Sequence, residues 1–421
     1  MQPMKIAIVG AGIGGLAAAS LLARAGHDVT LYDQFAAPRP VGSGLVIQPV
    51  GQEVLAALGL LTEAFALGHP LRGLRGTQMS GAQVLRVDYA SRPARAGAAA
   101  AAAAGNDGNA GEFGNTAVGL SILRPALFHL LYRAAVEAGV TLTPDARVTG
   151  REGQRLAFAK GGLSAPYDLL IDAAGHRSPL SPLRARALPY GAIWATVDWP
   201  AESTLPLQYL TQRYRRADRM AGVMPAGLLP EGGGPKAAIF WSLKPEDYAR
   251  WQAAPVQAWQ AQARAHWPQF APFAQQITRH AQMTFASYSH GTMRWPVAAG
   301  LAHIGDAAHR ASPQLGQGAN MALLDAYALA QALAQGHDLG QSLAAYARLR
   351  RWHVFAYQTL SWAFTAQYQS DSRALPALRD HLLAPLSRVW PLPPILARLV
   401  SGDLVQPYAG LPRPRAAIND C

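Results

Sequence analysis

Gly10, Gly12 and Gly15 fall at G-x-G-x-x-G spacing within residues 6–33, IAIVGAGIGGLAAASLLARAGHDVTLYD. Glycines so spaced can bind phosphate. Gly10 permits a tight turn, Gly12 lets bare backbone approach a pyrophosphate, and Gly15 lets a helix pack closely on a strand. That chemistry needs particular elements around it. Ile6 to Val9 reads as a buried strand, Leu16 to Ala25 as a helix ended by Gly26, and Val29 to Tyr32 as the next strand. The helix start offers free N–H groups and a positive dipole end. Asp33 closes the unit and can accept from ribose hydroxyls. The unit predicts dinucleotide binding without separating NAD from FAD.

A second stretch, GDAAHRASPQLGQGAN at 305–320, separates them. Leu301 to Ile304 reads as a strand ending at Gly305, and ANMALLDAYALAQALAQ from Ala319 has helical periodicity. Gly316, Gln317 and Gly318 therefore precede a helix, whose free N–H groups stabilise an anion. A reduced isoalloxazine carries negative charge near N1 and the C2 carbonyl, and such a start can hold it as an oxyanion hole would. The glycines let a flat ring approach bare backbone. Pro313 stiffens the loop. Asp306 can accept from a ribityl hydroxyl, and His309 reads as a structural hydrogen-bonder.

GAGIGG, Arg124 within SILRPALFHLL, YDLLIDAAGHRS at 167–178 and GDAAHRASPQLGQGAN together resemble the para-hydroxybenzoate hydroxylase family, the single-component FAD-dependent aromatic monooxygenases. The resemblance runs from about residue 4 to about 335. It implies an α/β fold: a glutathione-reductase-type Rossmann FAD domain interrupted by a mixed-sheet substrate domain, with a helical C-terminal tail. It places the FAD domain at 1–72, 116–186 and 297–365, the substrate domain at 73–115 and 187–296, and the tail at 366–421. Around non-covalent FAD it places Gly10, Gly12, Ile13, Gly14, Gly15, Asp33, Gly44, Leu45, Arg124, Val148, Gly305, Asp306, Pro313, Gly316, Gly318 and Ala319. Val148 would offer backbone to adenine, Arg124 would meet the pyrophosphate, and Pro313, Gly316, Gln317 and Gly318 would line the isoalloxazine. The segment GSGLVIQP, 42–49, would pack beside the flavin.

The implied reaction is hydroxylation of a phenolic or heteroaromatic ring through a flavin C4a-hydroperoxide, with NADPH or NADH as transient reductant and molecular oxygen as co-substrate. The cofactor carries that chemistry, which accords with the lack of a Ser–His–Asp set or a metal cluster in the sequence. A reductase or dehydrogenase on the same flavin fold is the rival, and a flavin-binding protein without turnover is a more distant one. One position departs from the family pattern. Ala174 stands where the family carries the acid of an Asp–Gly pair tied to nicotinamide binding, and Asp172 lies two residues away along a strand. His176, Arg177, Arg184 and Arg186 follow closely, and such a basic cluster favours the 2′-phosphate of NADPH.

In the middle of the chain QYLTQRY (208–214) and AAIFWS (237–242) read as strands. Tyr209, Arg213, Tyr214 and Trp241 are substrate candidates, with Trp194, Met224 and Tyr288 beside them; one face of the 208–214 strand should meet the substrate. Residues 94–115 are low in complexity and read as an insertion. The tail from 371 is amphipathic and basic, resembling those of ubiquinone-type hydroxylases. It suits either packing on the FAD domain or contact with a membrane surface.

Composition sets the outer limits. The chain has 421 residues, 50% hydrophobic and 15% charged, which is a folded and not a disordered profile. The net charge of +12 comes without any dense Lys/Arg block, so nucleic acid is not an expected partner. No signal peptide or spanning helix is expected from the pattern. The single cysteine, Cys421, allows no internal disulfide, and a cytoplasmic setting is expected.

Overall fold

The computed structural model describes residues 2–36, 43–91 and 117–407. The low-complexity segment 94–115, Gly42 and Cys421 lie outside the described residues. β1 (Lys5–Val9) sits at the centre of a six-stranded sheet. It pairs in parallel with β2 (Asp28–Tyr32) on one side and with Leu169–Asp172 on the other. Thr141–Thr143 extends the sheet beyond β2, and Leu301–His303 extends it beyond Leu169–Asp172. A short antiparallel strand, Val297–Ala298, closes that edge. Ile6, Ala7 and Ile8 are fully buried, as expected for a parallel strand covered on both faces.

Helix α1 (Ile13–Arg24) follows β1 and lies beside the helix Gly318–Ala334. Gly14 permits the approach, since a Cβ there would stand 3.3 Å from the Ala322 Cβ. The two sequence motifs, three hundred residues apart, thus meet as neighbouring helix starts above one sheet.

A second sheet has seven strands, in the order Thr284–Ala286, Gly191–Asp198, Lys236–Leu243, Arg219–Gly227, Tyr209–Arg215, Gly73–Gln78 and Gln83–Asp88. Its two faces follow the period-2 alternation of its strands. Ile193, Ala221, Val223, Ile239 and Trp241 face outward, packing with Trp251, Trp259, Phe270 and Phe273 of the segment 245–277. Met224 and Ala238 face the other way and reach β3 (Gly44–Ile47), where a Cβ on Gly44 would lie 2.8 Å and 2.9 Å from them.

The long helix Leu339–Tyr368 begins at Asp338, whose side chain caps it by accepting from the Gln341 N–H at 2.8 Å. Described tail residues pack back on this helix. Tyr357 Oη donates to the Leu399 carbonyl at 3.1 Å, and His353 Nε2 donates to the Gly402 carbonyl at 2.8 Å. Arg388 reaches the seven-stranded sheet, donating to the Gln83 carbonyl at 2.6 Å. The tail leaves Leu382, Val389 and Trp390 exposed. No helix among the described residues is long and apolar enough to cross a membrane.

Burial, then the neighbouring Arg350 charge, pushes the His353 pKa down to about 3. The folded chain holds His353 neutral, whereas an unfolded histidine protonates near pH ~6.5. The stabilisation is therefore present above that pH and lost as pH falls toward 3. In urea melts at pH 7, 6 and 5, His353→Gln should flatten the fall in stability by about 1.4 kcal/mol per pH unit across the acid limb. An unchanged slope would show that His353 is not held neutral by the fold.

Candidate functional site

The three fingerprint glycines do different work. Gly10 has φ +104°, and a Cβ there would stand 2.5 Å from the Ala173 carbonyl oxygen. At Gly15 a Cβ would fall 2.0 Å from the Gly10 carbonyl oxygen. Both glycines are required by packing within the protein. Gly12 is not: a Cβ there would meet nothing within 4 Å among the described residues, and the residue is exposed. As the N-cap of α1 it leaves bare backbone open to a ligand. Asp33 holds the loop from below. Its Oδ2 accepts from the Ala11 N–H at 2.8 Å and its Oδ1 from the Phe35 N–H at 2.9 Å.

The opening continues past Gly12. Arg124 heads the helix Arg124–Glu137 and is anchored by its own N–H, which donates to the Ser43 carbonyl at 2.8 Å. Its side chain is open to solvent yet surrounded by protein, as in a deep cleft. That surrounding lowers its pKa, and the negative charge of Asp306 pulls in the opposite direction. Asp306 is exposed as well. His176 belongs to the same field. Burial, Arg177 and Arg310 lower its pKa while Asp306 raises it. Ala174 lies next to this opening, its Cα 2.8 Å from where a Gly10 Cβ would be. Asp172 does not reach it. That carboxylate is fully buried, accepting from Ser178 Oγ and pairing with His303 Nδ1 at 2.7 Å.

Beyond Asp306 the chain passes through Pro313–Leu315 to Gly316, which has φ +61°. The helix Gly318–Ala334 then starts with no side-chain cap and no acid in its first turn. Gln317 is turned away, its Nε2 donating to the Val400 carbonyl at 2.7 Å. Pro313 and Gly318 are exposed, and a Cβ on Gly318 would meet nothing within 4 Å. Asn320 ties this start to β3. Its Oδ1 accepts from the Gln48 N–H at 2.8 Å, and its Nδ2 donates to the carbonyls of Gly316 at 2.9 Å and Val46 at 3.0 Å. Gly44 and Leu45 lie on that strand, half-buried. Gly305 is buried below Asp306, and Ile13, Gly14 and Ala319 lie in the first turns of the two facing helices. Val148 begins a strand at the far side of the sheet, where it is buried with Val9 and Leu170.

Three of the four substrate candidates lie away from this opening. Trp241 is packed on the outward face, edge-on to His266 at 5.2 Å. Arg213 shares that face, its guanidinium 5.9 Å from the Trp267 ring and its Nη1 bonded to the Gln78 carbonyl at 2.6 Å. Tyr209 is also on that face, with Arg75 stacked 4.0 Å over its ring. The strand alternation decides this, because these side chains are two residues apart. Tyr214 is on the face turned toward β3 but fully buried against Tyr368, its hydroxyl donating to Gln212 Oε1. On that face Trp194, Leu210, Leu74 and Leu85 are half-buried and Thr196 is exposed. Trp194 packs on Phe240 at 4.6 Å and donates from Nε1 to Tyr288 Oη at 2.9 Å. Burial raises the Tyr288 pKa, so its hydroxyl stays protonated at neutral pH.

Sequence reading missed Asp325, Arg350 and Asn320. Asp325 is fully buried and accepts from the Gly305 N–H at 2.9 Å, from His309 Nε2 at 2.6 Å and from Arg350 Nε at 2.7 Å. An acid and an arginine at buried helix positions were the available signal.

The family profile for the FAD binding domain matches residues 3–150 and 243–359, well over half of the chain. This chain belongs to that FAD-binding family. The bare backbone at Gly12, the cation at Arg124 and the uncapped start at Gly318 suit a dinucleotide carrying a flavin, and its cofactor is FAD. The chain is 24% identical over 407 residues to a probable 2-heptyl-3-hydroxy-4(1H)-quinolone synthase of Rhodococcus erythropolis, covering 92% of this chain and 93% of that one. It is 27% identical over 362 residues to an FAD-dependent urate hydroxylase of Klebsiella pneumoniae, covering 82% and 85%. Among solved structures, a 2-methyl-3-hydroxypyridine-5-carboxylic acid oxygenase superposes with a TM-score of 0.72 at 19% identity, covering 93% of this chain and 100% of that one. A Klebsiella pneumoniae protein complexed with FAD and uric acid superposes with a TM-score of 0.73 at 20% identity, covering 94% and 97%. These likenesses show a shared fold.

The glycine contacts give a paired test. Gly15→Ala should destabilise the chain by about 1–3 kcal/mol, because its methyl meets backbone that must move. Gly12→Ala should leave the melting temperature of the FAD-free protein unchanged and weaken FAD binding at least about tenfold. If Gly12→Ala lowers the FAD-free melting temperature as much as Gly15→Ala, Gly12 too is a packing residue and the cofactor argument at that position fails.

Proposed function

We propose that this chain is an FAD-dependent monooxygenase that hydroxylates an electron-rich phenolic or heteroaromatic small molecule, with NAD(P)H as its reductant. One observation carries the reading. Gly12 and the uncapped start at Gly318 head two neighbouring helices, Arg124 and Asp306 lie within reach of each other's charge, and the half-buried Trp194 lies on the sheet face turned toward β3. The names of the relatives support it, since urate and quinolones are electron-rich heteroaromatic rings.

FAD, when bound, supplies the redox chemistry and the activation of oxygen. The residues supply position and charge. We assign Gly12 and the α1 start to the pyrophosphate, with Arg124 as its counter-ion. We assign Asp306 to a ribityl hydroxyl. We assign the N–H groups at Gly318 and Ala319 to the isoalloxazine, where they would stabilise negative charge. Trp194 supplies an aromatic wall for a substrate ring. Tyr288 already accepts from Trp194, so its own O–H is left to donate to a substrate oxygen. With Ala174 in place of an acid, the reductant is assigned to the basic rim of His176, Arg177 and Arg310, which suits NADPH better than NADH.

The test uses the purified holoprotein. Acid precipitation should release FAD into the supernatant. Phenols and hydroxylated N-heterocycles should be screened for acceleration of NAD(P)H oxidation. The reading expects at least one to raise the rate and to gain one hydroxyl oxygen per oxygen molecule consumed. Electron transfer to a dye with no oxygen in any product would favour a dehydrogenase instead. Asp306→Ala should weaken FAD binding about ten- to a hundred-fold, the worth of a charge-assisted hydrogen bond. Unchanged affinity would misplace the ribityl chain.

A further inference from the structure

Behind the flavin loop lies a second cavity of about 450 Å³, within the range of small-molecule sites. It lies between the segment 292–296 and the long helix Leu339–Tyr368, and its inner end is closed by Ala308 and His309. None of the flavin-site glycines lines it. Its charge is one-sided. Arg294, Arg350 and Arg351 line it, and the only acid there is Asp325. Asp325 is already committed to Gly305, His309 and Arg350. Arg350 is 2% exposed, and its Nη2 has no hydrogen-bond partner among the described residues. Arg294 and Arg351 are exposed and have no acidic partner among the described residues.

The walls are apolar. Met293 and Val354 line the interior, and Trp352 and Phe355 stand edge to face at the mouth, 6.1 Å apart. Those two rings are 64% and 59% exposed, an unusual cost for a free surface. Arg351 lies 5.2 Å over the Trp352 ring, so cation and aromatic face already form one unit at the entrance.

We propose that this cavity is a binding site for an organic anion: a carboxylate on an aromatic body. The carboxylate is recognised by Arg294 and Arg351, and the ring by Trp352, Phe355 and Met293. A bare phosphate would leave the apolar walls uncovered, and a neutral ring would leave the guanidinium groups unpaired. The site is separate from the flavin-side sheet face, so it is not the place of the hydroxylation proposed above.

The test is calorimetric titration of the holoprotein with 1-naphthoate, using 1-naphthalenemethanol as the uncharged control. Naphthoate should bind saturably, and the alcohol at least about tenfold more weakly. Arg294→Gln with Arg351→Gln should weaken naphthoate about tenfold, two exposed ion pairs' worth, without moving the visible flavin bands. Phe355→Glu, on an exposed side chain that folding does not require, should weaken it as well. Equal affinity for the alcohol, or no saturable binding, overturns the proposal. So does naphthoate binding that shifts the flavin bands and ignores all three substitutions, because the ligand then sits beside the flavin.

Discussion

The buried carboxylate of Asp325 is the constraint on which the flavin end of the molecule depends. It sits within the helix Gly318–Ala334 and takes three donors from three other places in the chain. The Gly305 N–H comes from the loop that presents Asp306, His309 from the strand after it, and Arg350 from the long helix. Its pKa is held far below the usual carboxylate range, since His309 and Arg350 outweigh the opposing effect of burial. The pair is hydrogen-bonded on both sides, the condition under which a buried ion pair is tolerated. Arg350 passes the order onward. Its Nη1 meets His353 Nδ1 at 3.3 Å, and His353 binds the Gly402 carbonyl. One carboxylate thereby fixes the loop, the helix that follows it and the tail that covers them.

That arrangement explains how the helix start at Gly318 stays free. Helix starts usually recruit a side-chain cap, as Asp338 does for the long helix. At Gln317 the side chain that could fold back is spent on Val400 instead. The tail turn is itself tightly fitted, since a Cβ at Gly402 would lie 2.4 Å from Val50 Cγ2. The tail thus holds the Gln317 side chain through its Nε2, turned away from the helix start.

Both flavin motifs were legible in the sequence because their glycines answer local demands. Gly15 is needed by the Gly10 carbonyl five residues before it, and Gly10 and Gly316 by their own positive φ. The strand and helix calls for β1, α1 and β2 follow from short-range pattern and stand within a few residues. The substrate side was less legible for a physical reason. Alternation along QYLTQRY separates two faces but does not say which is covered by helices. The outward face is decided by Trp251, Trp259 and Phe270, which lie 30 to 60 residues further on in the sequence. Trp241 and Arg213 look chemically suited to a ligand and are instead used to hold those helices.

The same physics separates the polar residues that sequence reading found from those it missed. Arg124 and Asp306 stand beside glycines and prolines that break the pattern, so they mark loops facing solvent. Asp325, Arg350 and Asn320 lie inside long helical patterns, where a polar residue reads as surface. Each proves to be buried, and each is bonded across elements that no local pattern connects: Asp325 to the 305–309 loop, Arg350 to Asp325, Asn320 to β3. In a helix, a polar residue at a core-facing position is costly unless it is paired. Helical phase could therefore have raised them as candidates, since Asp325 follows Leu324 and lies four residues from Met321 and Leu329, both buried. What phase could not supply is the partner. That requires the sheet order, which brings residue 305 and residue 350 to the same side of one helix.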